Sequence, residues 1–515
     1  MLARTLCFAL NGIQGEPVTV EADVSNSDKF AFNLVGLPDA AVKESRERVF
    51  AALKNSGFTQ PFVRTTVNLS PADLRKEGTA FDLPIAVAII IASRQSRAYG
   101  MEDTVLLGEL ALDGSLLPVH GALSLVVAAK ELGYTKVVLP RTNGAEVESV
   151  EGMEVYPARA LYEVVHHLSG KAPIPAQIQK SYAECLAEQT IEADLSSVRG
   201  QRFAKRALEV AAAGGHNLLM VGVPGSGKTM LARCLPGILP LMTQEEAFET
   251  TRIHGAAGLI EPGQGLMTVR PFRTPHHSAS MAALVGGGTN ARPGEVSLAH
   301  NGVLFLDEMP EYPRQVLEAL RQPLEDGVAT VSRVRAHSRY LSRCMLVASM
   351  NPCPCGYFGS RTKACRCGSH EIRKYLDRIS GPLLDRIDIQ VEVDSVPVEE
   401  ISAASDAESS ARVRERVILA RDRQLRRFVG TGIRLNSQME GKHIEELALV
   451  QPEAMALLHR AIQQRGLSMR AYSRIIKVAR TIADLASEEQ VGTAAMAEAI
   501  QYRLIDSKYW GDAHG

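Results

Sequence analysis

Three short stretches of this chain carry residue types whose spacing can do chemistry. The first is Gly222, Val223, Pro224, Gly225, Ser226, Gly227, Lys228 and Thr229, the pattern G-x-x-x-x-G-K-T. Its glycines let successive backbone N–H groups curl around phosphates, Lys228 offers a cation to the β- and γ-phosphates, and the Thr229 hydroxyl offers a ligand to Mg²⁺. The second is Asp307-Glu308, at the end of the apolar run Gly302-Val303-Leu304-Phe305-Leu306. Beside a phosphate loop, the first carboxylate acts on Mg²⁺ and the second polarises an attacking water. The third is Cys353, Cys355, Cys365 and Cys367, spaced C-x-C-x₉-C-x-C, with His370 a few residues on. Four thiolates in a loop too short for its own core suit tetrahedral structural Zn²⁺; His370 can replace one cysteine, and disulfides are the alternative.

Each stretch needs an element to hold it. Leu218-Leu219-Met220-Val221 reads as a buried strand entering the phosphate loop, and Thr229 to Leu235 as the helix leaving it, ended by Pro236 and Gly237. The acidic pair sits where a buried parallel strand presents its C-terminal end. A third apolar strand, Met345 to Met350, delivers Asn351 beside the cysteines. Ala329 to Tyr340 alternates about a short polar break and predicts a β-hairpin, whose Arg333, Arg335, His337 and Arg339 can engage phosphates. Arg202 to Ala213, Ser410 to Phe428, Ala454 to Gln464, Met469 to Ala486 and Ala494 to Tyr502 read as helices. His276 and His277 are adjacent on a loop, and adjacent histidines share one metal ion poorly. Residues 1 to about 170 alternate strands (Val18–Val24, Ala31–Val35, Thr65–Leu69, Lys136–Leu139) with helices (Ala40–Asn55, Asp82–Ala92, Leu123–Leu132), a mixed α/β domain.

Composition bounds the class. The 515 residues are 45% hydrophobic and 22% charged, ordinary globular values that predict more than one core. With a net charge of −1, any nucleic-acid contact must come from local basic patches. The longest apolar run, Leu83 to Ala92, is too short to span a bilayer, and the N-terminus lacks a signal-peptide pattern. Eight cysteines, half of them bunched, fit a reducing compartment, so the expected location is cytoplasmic, without a membrane partner.

Two resemblances extend this reading. Asn68 to Gly78, Phe81 to Ala86, Gly108-Glu109-Leu110, Gly114, Leu117-Pro118-Val119 and Lys136 to Pro140 resemble the proteolytic domain of Lon-type proteases. That family uses a Ser nucleophile activated by a Lys, but the matching positions here hold Ala80 and Leu123, and neither Ser124 nor Lys130 falls where the pair belongs. The region from Ser197 to Arg474 resembles the AAA+ ATPases. By that resemblance, the segment before the phosphate loop lines an adenine pocket and Asn351 senses the γ-phosphate. Gly381-Pro382-Leu383-Leu384-Asp385-Arg386-Ile387-Asp388 resembles the arginine-finger segment of the magnesium-chelatase and MCM branch. Arg386 then reaches a neighbouring subunit's ATP, with Arg378 as runner-up, and Arg470 is the lid's second sensor, with Arg474 as fallback.

Taken together, the chain resembles the YifB/ComM type of magnesium-chelatase-like AAA+ proteins. The expected architecture is α/β: a Lon-protease-like domain over 1–170, a linker over 171–195, an AAA+ core over 196–400 with the four-cysteine loop at 351–370, and a helical lid over 401–510. The resemblance implies ATP, Mg²⁺, a homo-hexamer, and a motor on single-stranded and branched DNA that promotes branch migration during natural transformation. Two other classes stay open. A chelatase motor subunit is opposed by the front domain, which the resemblance does not give to such subunits; an ATP-dependent protease is opposed by Ala80 and Leu123.

Overall fold

In the computed structural model, residues 1–25, 30–74, 76, 78–189, 191, 193–288, 291–333, 336–360, 363–395, 408–465 and 469–510 are described. They form two compact units, 1–189 with 243–268, and 190–242 with 269–515.

The first unit is built on a seven-stranded mixed sheet. Its centre is the antiparallel pair Leu2–Asn11 and Gln14–Ser25, joined through Gly12 in the left-handed region (φ 62°). Thr104–Leu106, Lys136–Pro140 and Glu154–Ala158 extend one edge in parallel; Arg64–Ser70 and Ala31–Val35 form the other. Asp82–Ala92 is apolar around its whole circumference and buried at all but one position, which is why its sequence looks nearly membrane-like in a globular core. No described helix is long and apolar enough to cross a membrane.

The unit's limits differ from the sequence-based division. Residues 171–189, expected as linker, belong to it and include the helix Tyr182–Ala187, started by a Ser181/Glu184 capping box. It also takes in 243–268, expected within the ATPase core. The helix Gln244–Ala257, opened by a Thr243/Glu246 capping box, packs on Ala122–Glu131: a Cβ on Gly255 would lie 3.1 Å from Gly121 Cα, and Arg252 donates to the Ile13 carbonyl at 2.9 Å. The two positions that the Lon-type resemblance matches to a Ser/Lys pair hold Ala80 and Leu123. Leu123 is fully buried, its N–H held by the Glu146 carboxylate at 3.1 Å, and Ala80 offers only a backbone carbonyl to Gly108 N.

The second unit holds a five-stranded sheet, every neighbouring pair of it parallel. Its spatial order is Phe272–Arg273, Val303–Leu306, Met345–Met350, Leu218–Gly222, Ile389–Val393. Period-two alternation sends Leu218, Met220, Val303, Phe305 and Val347 to one core and Leu219, Val221, Leu304, Leu306 and Leu346 to the other. Both faces are therefore covered, which explains strands that read as continuous apolar runs. The first core also contains residues of the helices Arg202–Gly214, Ser410–Arg427, Pro452–Arg465, Met469–Leu485 and Thr493–Gln501. The expected hairpin forms from Val328–Arg333 and Ala336–Leu341; its Arg339 is exposed, while the side chains of Arg333, Arg335 and His337 lie outside the described residues. One local stop was misread. After Lys228–Arg233 the chain makes a further helical turn, Leu235–Ile238, that contains Pro236 and Gly237, because proline is tolerated in a first turn.

Candidate functional site

The phosphate loop leaves the buried strand Leu218–Gly222 and enters the helix Lys228–Arg233. Two of its glycines are needed for their backbone: Gly225 and Gly227 have φ +78° and +90°. Gly222 is needed for space, since a Cβ there would sit 2.2 Å from the Val393 carbonyl oxygen. Lys228 Nζ donates to the carbonyls of Gly222 (2.8 Å) and Val223 (3.0 Å) and lies 3.4 Å from Asn351 Oδ1. Burial lowers its pKa, with Asp307 and Glu308 pulling the other way. Inside the loop the Ser226 hydroxyl is buried with no hydrogen-bond partner among the described residues, a donor that suits a phosphate oxygen.

The acidic pair meets this loop across the sheet edge. Thr229 Oγ1 donates to Asp307 Oδ2 at 3.0 Å. Asp307 Oδ1 accepts from Ser349 Oγ and from Glu308 N, the latter at 3.1 Å. Glu308 N also reaches Ser349 Oγ at 3.3 Å. Glu308 adopts φ 50° and ψ 48°, a left-handed conformation costing a non-glycine residue about 1–2 kcal/mol. Glu308 is exposed, while Asp307 stays tied to Thr229. Lys228, Thr229, Asp307, Glu308 and Asn351 thus converge at the C-terminal edge of three adjacent parallel strands, where open α/β sheets bind ligands. Two contributors were not singled out from sequence. Ser349 is the lone hydroxyl in Met345–Met350, its only signal. Gln201, left-handed at φ 55°, donates to the Ser226 carbonyl at 3.2 Å and to that of Asp394.

Of the arginine candidates, Arg378 donates to the Pro310 carbonyl at 3.1 Å, two residues after Glu308. Arg386 pairs with Glu325, and Arg378 with Glu311 at 2.8 Å. Arg470 falls on the helix Met469–Leu485, but its side chain lies outside the described residues. Arg474, the fallback sensor, is buried against the segment around Arg386: its guanidinium lies 3.5 Å from Asp388 and 3.8 Å from Asp385. Asp388 also bonds His216 Nδ1 at 3.0 Å, whose Nε2 meets Thr481 Oγ1 at 2.8 Å. A buried polar network therefore ties Met469–Leu485 to the backbone carrying Arg386.

The four cysteine sulfurs lie within 4.8 Å of one another, with separations of 3.4 Å (Cys353–Cys355), 3.6 Å (Cys353–Cys365) and 3.6 Å (Cys355–Cys365). Zn–S bonds of about 2.3 Å set a tetrahedral edge of about 3.8 Å, whereas a disulfide needs about 2.05 Å. The donor set therefore fits zinc as it stands. His370 is outside this group and sits exposed on the helix Ser369–Leu376.

A phosphate loop, an acidic strand end and a polar residue closing a third strand, on a parallel sheet of this order, define a P-loop nucleotide-binding fold of the AAA+ type. Profiles described as "Subunit ChlI of Mg-chelatase", "Magnesium chelatase, subunit ChlI" and the ChlI C-terminal region match residues 20–143, 194–401 and 407–503. The chain is 45% identical over 510 residues to the competence protein ComM of Haemophilus influenzae, covering 98% of each chain. It is 44% identical over 496 residues to the YifB protein of Salmonella typhimurium, covering 96% of each. A Lon protease of Brevibacillus choshinensis is 23% identical over 172 residues, 31% of this chain and 22% of that protein. The chain belongs to the YifB/ComM family of magnesium-chelatase-like AAA+ ATPases, whose members imply ATP and Mg²⁺. The match over 20–143 corrects one inference. A front region shared with a chelatase-subunit profile does not argue against a chelatase-like role.

Proposed function

We propose that this protein is a cytoplasmic, homo-hexameric ATP-driven motor on single-stranded and branched DNA, promoting branch migration of recombination intermediates as in natural transformation. The observation that carries the ATPase half is the convergence of Lys228, Thr229, Asp307, Glu308 and Asn351 on one sheet edge. The DNA half rests on full-length identity to a relative named for competence.

In this reading, Lys228 exchanges its two carbonyl partners for β- and γ-phosphate oxygens, a short move for a flexible stem. Loop N–H groups and the Ser226 hydroxyl take further phosphate oxygens. Thr229 and Asp307 would hold Mg²⁺, which would offset phosphate charge. Glu308 accepts a proton from the attacking water as its oxygen bonds to the γ-phosphorus, and the bond to the ADP oxygen breaks. Asn351 orients that water and the γ-phosphate. Arg386 leaves Glu325 and stabilises transition-state charge in a neighbouring subunit, and Arg470 acts from the lid. Cys353, Cys355, Cys365 and Cys367 would hold structural zinc. The Lon-like front domain, lacking the Ser/Lys pair at Ala80 and Leu123, is a docking or structural domain.

The test is ATP-dependent conversion of a synthetic mobile four-way junction to its resolved duplexes. Conversion by the wild type and none by Glu308→Gln supports the proposal; no conversion despite ATP turnover removes the DNA assignment. The second reading, metal insertion into a tetrapyrrole, is favoured by the three chelatase-subunit profiles, and predicts ATP turnover stimulated by porphyrin.

A further inference from the structure

The cysteine loop is more than a neighbour of the nucleotide site. Asn351, which faces Lys228 Nζ at 3.4 Å, is only two residues before Cys353. Gly356, between Cys355 and Cys365 in sequence, has φ +83°, and a Cβ there would lie 2.7 Å from both Cδ and Cγ of Pro224. Pro224 is the middle of the phosphate loop. The loop backbone therefore presses on the phosphate loop at Pro224, while the Val393 carbonyl closes in on Gly222.

Nothing regular holds the pressing side in place. The described residues between Asn351 and Gly368 contain no helix or strand, so no backbone ladder fixes them. What fixes them is local. Phe358 N donates to Cys353 Sγ at 3.3 Å, and its ring meets Tyr509 edge-on at 6.2 Å. Tyr509 in turn donates to Glu392 at 2.8 Å, on the strand beside the phosphate-loop strand. A further constraint is the set of four sulfurs, poised at tetrahedral spacing. A loop this long without secondary structure pays a large ordering entropy that cross-linking by a metal offsets.

We propose that the four-cysteine loop is a metal-set brace for the phosphate loop. Ligation of Cys353, Cys355, Cys365 and Cys367 holds Gly356 against Pro224 and Asn351 against Lys228, so that nucleotide affinity depends on metal occupancy. This rests on the reading of the cluster as a zinc site. Gly356 and Pro224 are positioning residues: they act through the shape of the loop that grips phosphate.

The experiment uses the full-length protein as purified, with zinc measured by elemental analysis, affinity for a fluorescent ATP analogue measured with excess Mg²⁺, and thermal melting as the folding control. The expected result is one zinc per chain, a loss of analogue affinity of about tenfold on zinc chelation, and recovery when zinc alone is restored. Gly356→Ala is expected to keep its zinc yet bind the analogue several-fold more weakly, and Pro224→Ala in the same chain is expected to recover part of the loss. A zinc-loaded protein whose analogue affinity survives both chelation and Gly356→Ala overturns the brace and leaves the zinc site standing. A protein purified without zinc, and taking up none, overturns the zinc reading itself. If chelation unfolds the chain, the Gly356 and Pro224 variants decide, because both retain the four cysteines.

Discussion

Ser349→Ala is the most informative perturbation of the nucleotide site, because Ser349 touches neither of the carboxylates' proposed ligands. Its side chain is fully buried, and its hydroxyl donates to Asp307 Oδ1 while accepting from Glu308 N at 3.3 Å. Removing it leaves Asp307 Oδ1 with Glu308 N as its remaining donor in the cluster and loosens the left-handed bend at Glu308. A hydrogen bond to a charged group contributes about 1.5–3 kcal/mol. At about 1.4 kcal/mol per decade, losing it in the transition state lowers turnover by roughly tenfold to a hundredfold. The same bond matters less for binding, since Lys228 and the loop N–H groups are untouched. Steady-state ATP turnover across a Mg²⁺ titration, beside ATP-analogue affinity and melting temperature, separates these effects. The expected result is a kcat lower by at least about tenfold, a higher Mg²⁺ midpoint, and analogue affinity within about threefold of wild type. A kcat and a Mg²⁺ midpoint both unchanged would refute the claim that Ser349 positions the acidic pair.

The other predictions concern the roles assigned to individual groups. Glu308→Gln keeps ATP-analogue binding and lowers turnover by about 10²-fold or more, in line with loss of a general base; near-normal hydrolysis removes Glu308 from that role. Arg386→Ala retains nucleotide binding and loses hydrolysis, and mixing it with Glu308→Gln subunits restores part of the activity if the finger acts in trans. Mixed rings, verified by tagged co-purification, that are no more active than their parts count against it. For Asp388, burial alone would raise the carboxyl pKa, but the hydrogen bond and charge of His216, with Lys477 and Arg474, hold it below the ordinary carboxylate value. A depressed folded pKa gives stability that is present above the unfolded pKa and lost as pH falls through the folded one. Asp388→Asn is therefore expected to melt lower at neutral pH and to show a flatter acid limb of melting temperature against pH; an acid limb identical to wild type contradicts this.

Local signals account for what was legible. Ala31–Val35, Ala40–Asn55 and Asp82–Ala92 have the limits that β-branched runs, the Asp39 cap and an apolar stretch before Ser93 imply. That Lys228, Thr229, Asp307, Glu308 and Asn351 stand at element ends was legible for the same reason, because each closes a strand or opens a helix whose pattern is local. What was not legible depends on distant packing. Leu2–Asn11 lacks period-two alternation through Leu6-Cys7-Phe8-Ala9, and its ten-residue pairing with Gln14–Ser25 makes it a strand. The 243–268 segment carries a readable helix, but nothing in its sequence says which body that helix joins. Arg474 looked like a phosphate sensor by its place on the helix, whereas its partners, Asp385 and Asp388, come from a segment more than eighty residues earlier in the chain. The pressing of Gly356 on Pro224 has no sequence signature at all.

A DNA motor of the kind proposed couples ATP turnover to contact with DNA phosphates. ATP turnover by the purified full-length protein is compared with single-stranded DNA, with a four-way junction and without DNA, each at low and high salt. The account predicts turnover stimulated by both DNAs, with the stimulation fading as salt rises, because phosphate contacts release counterions. Robust turnover indifferent to every DNA at both salt concentrations would contradict it.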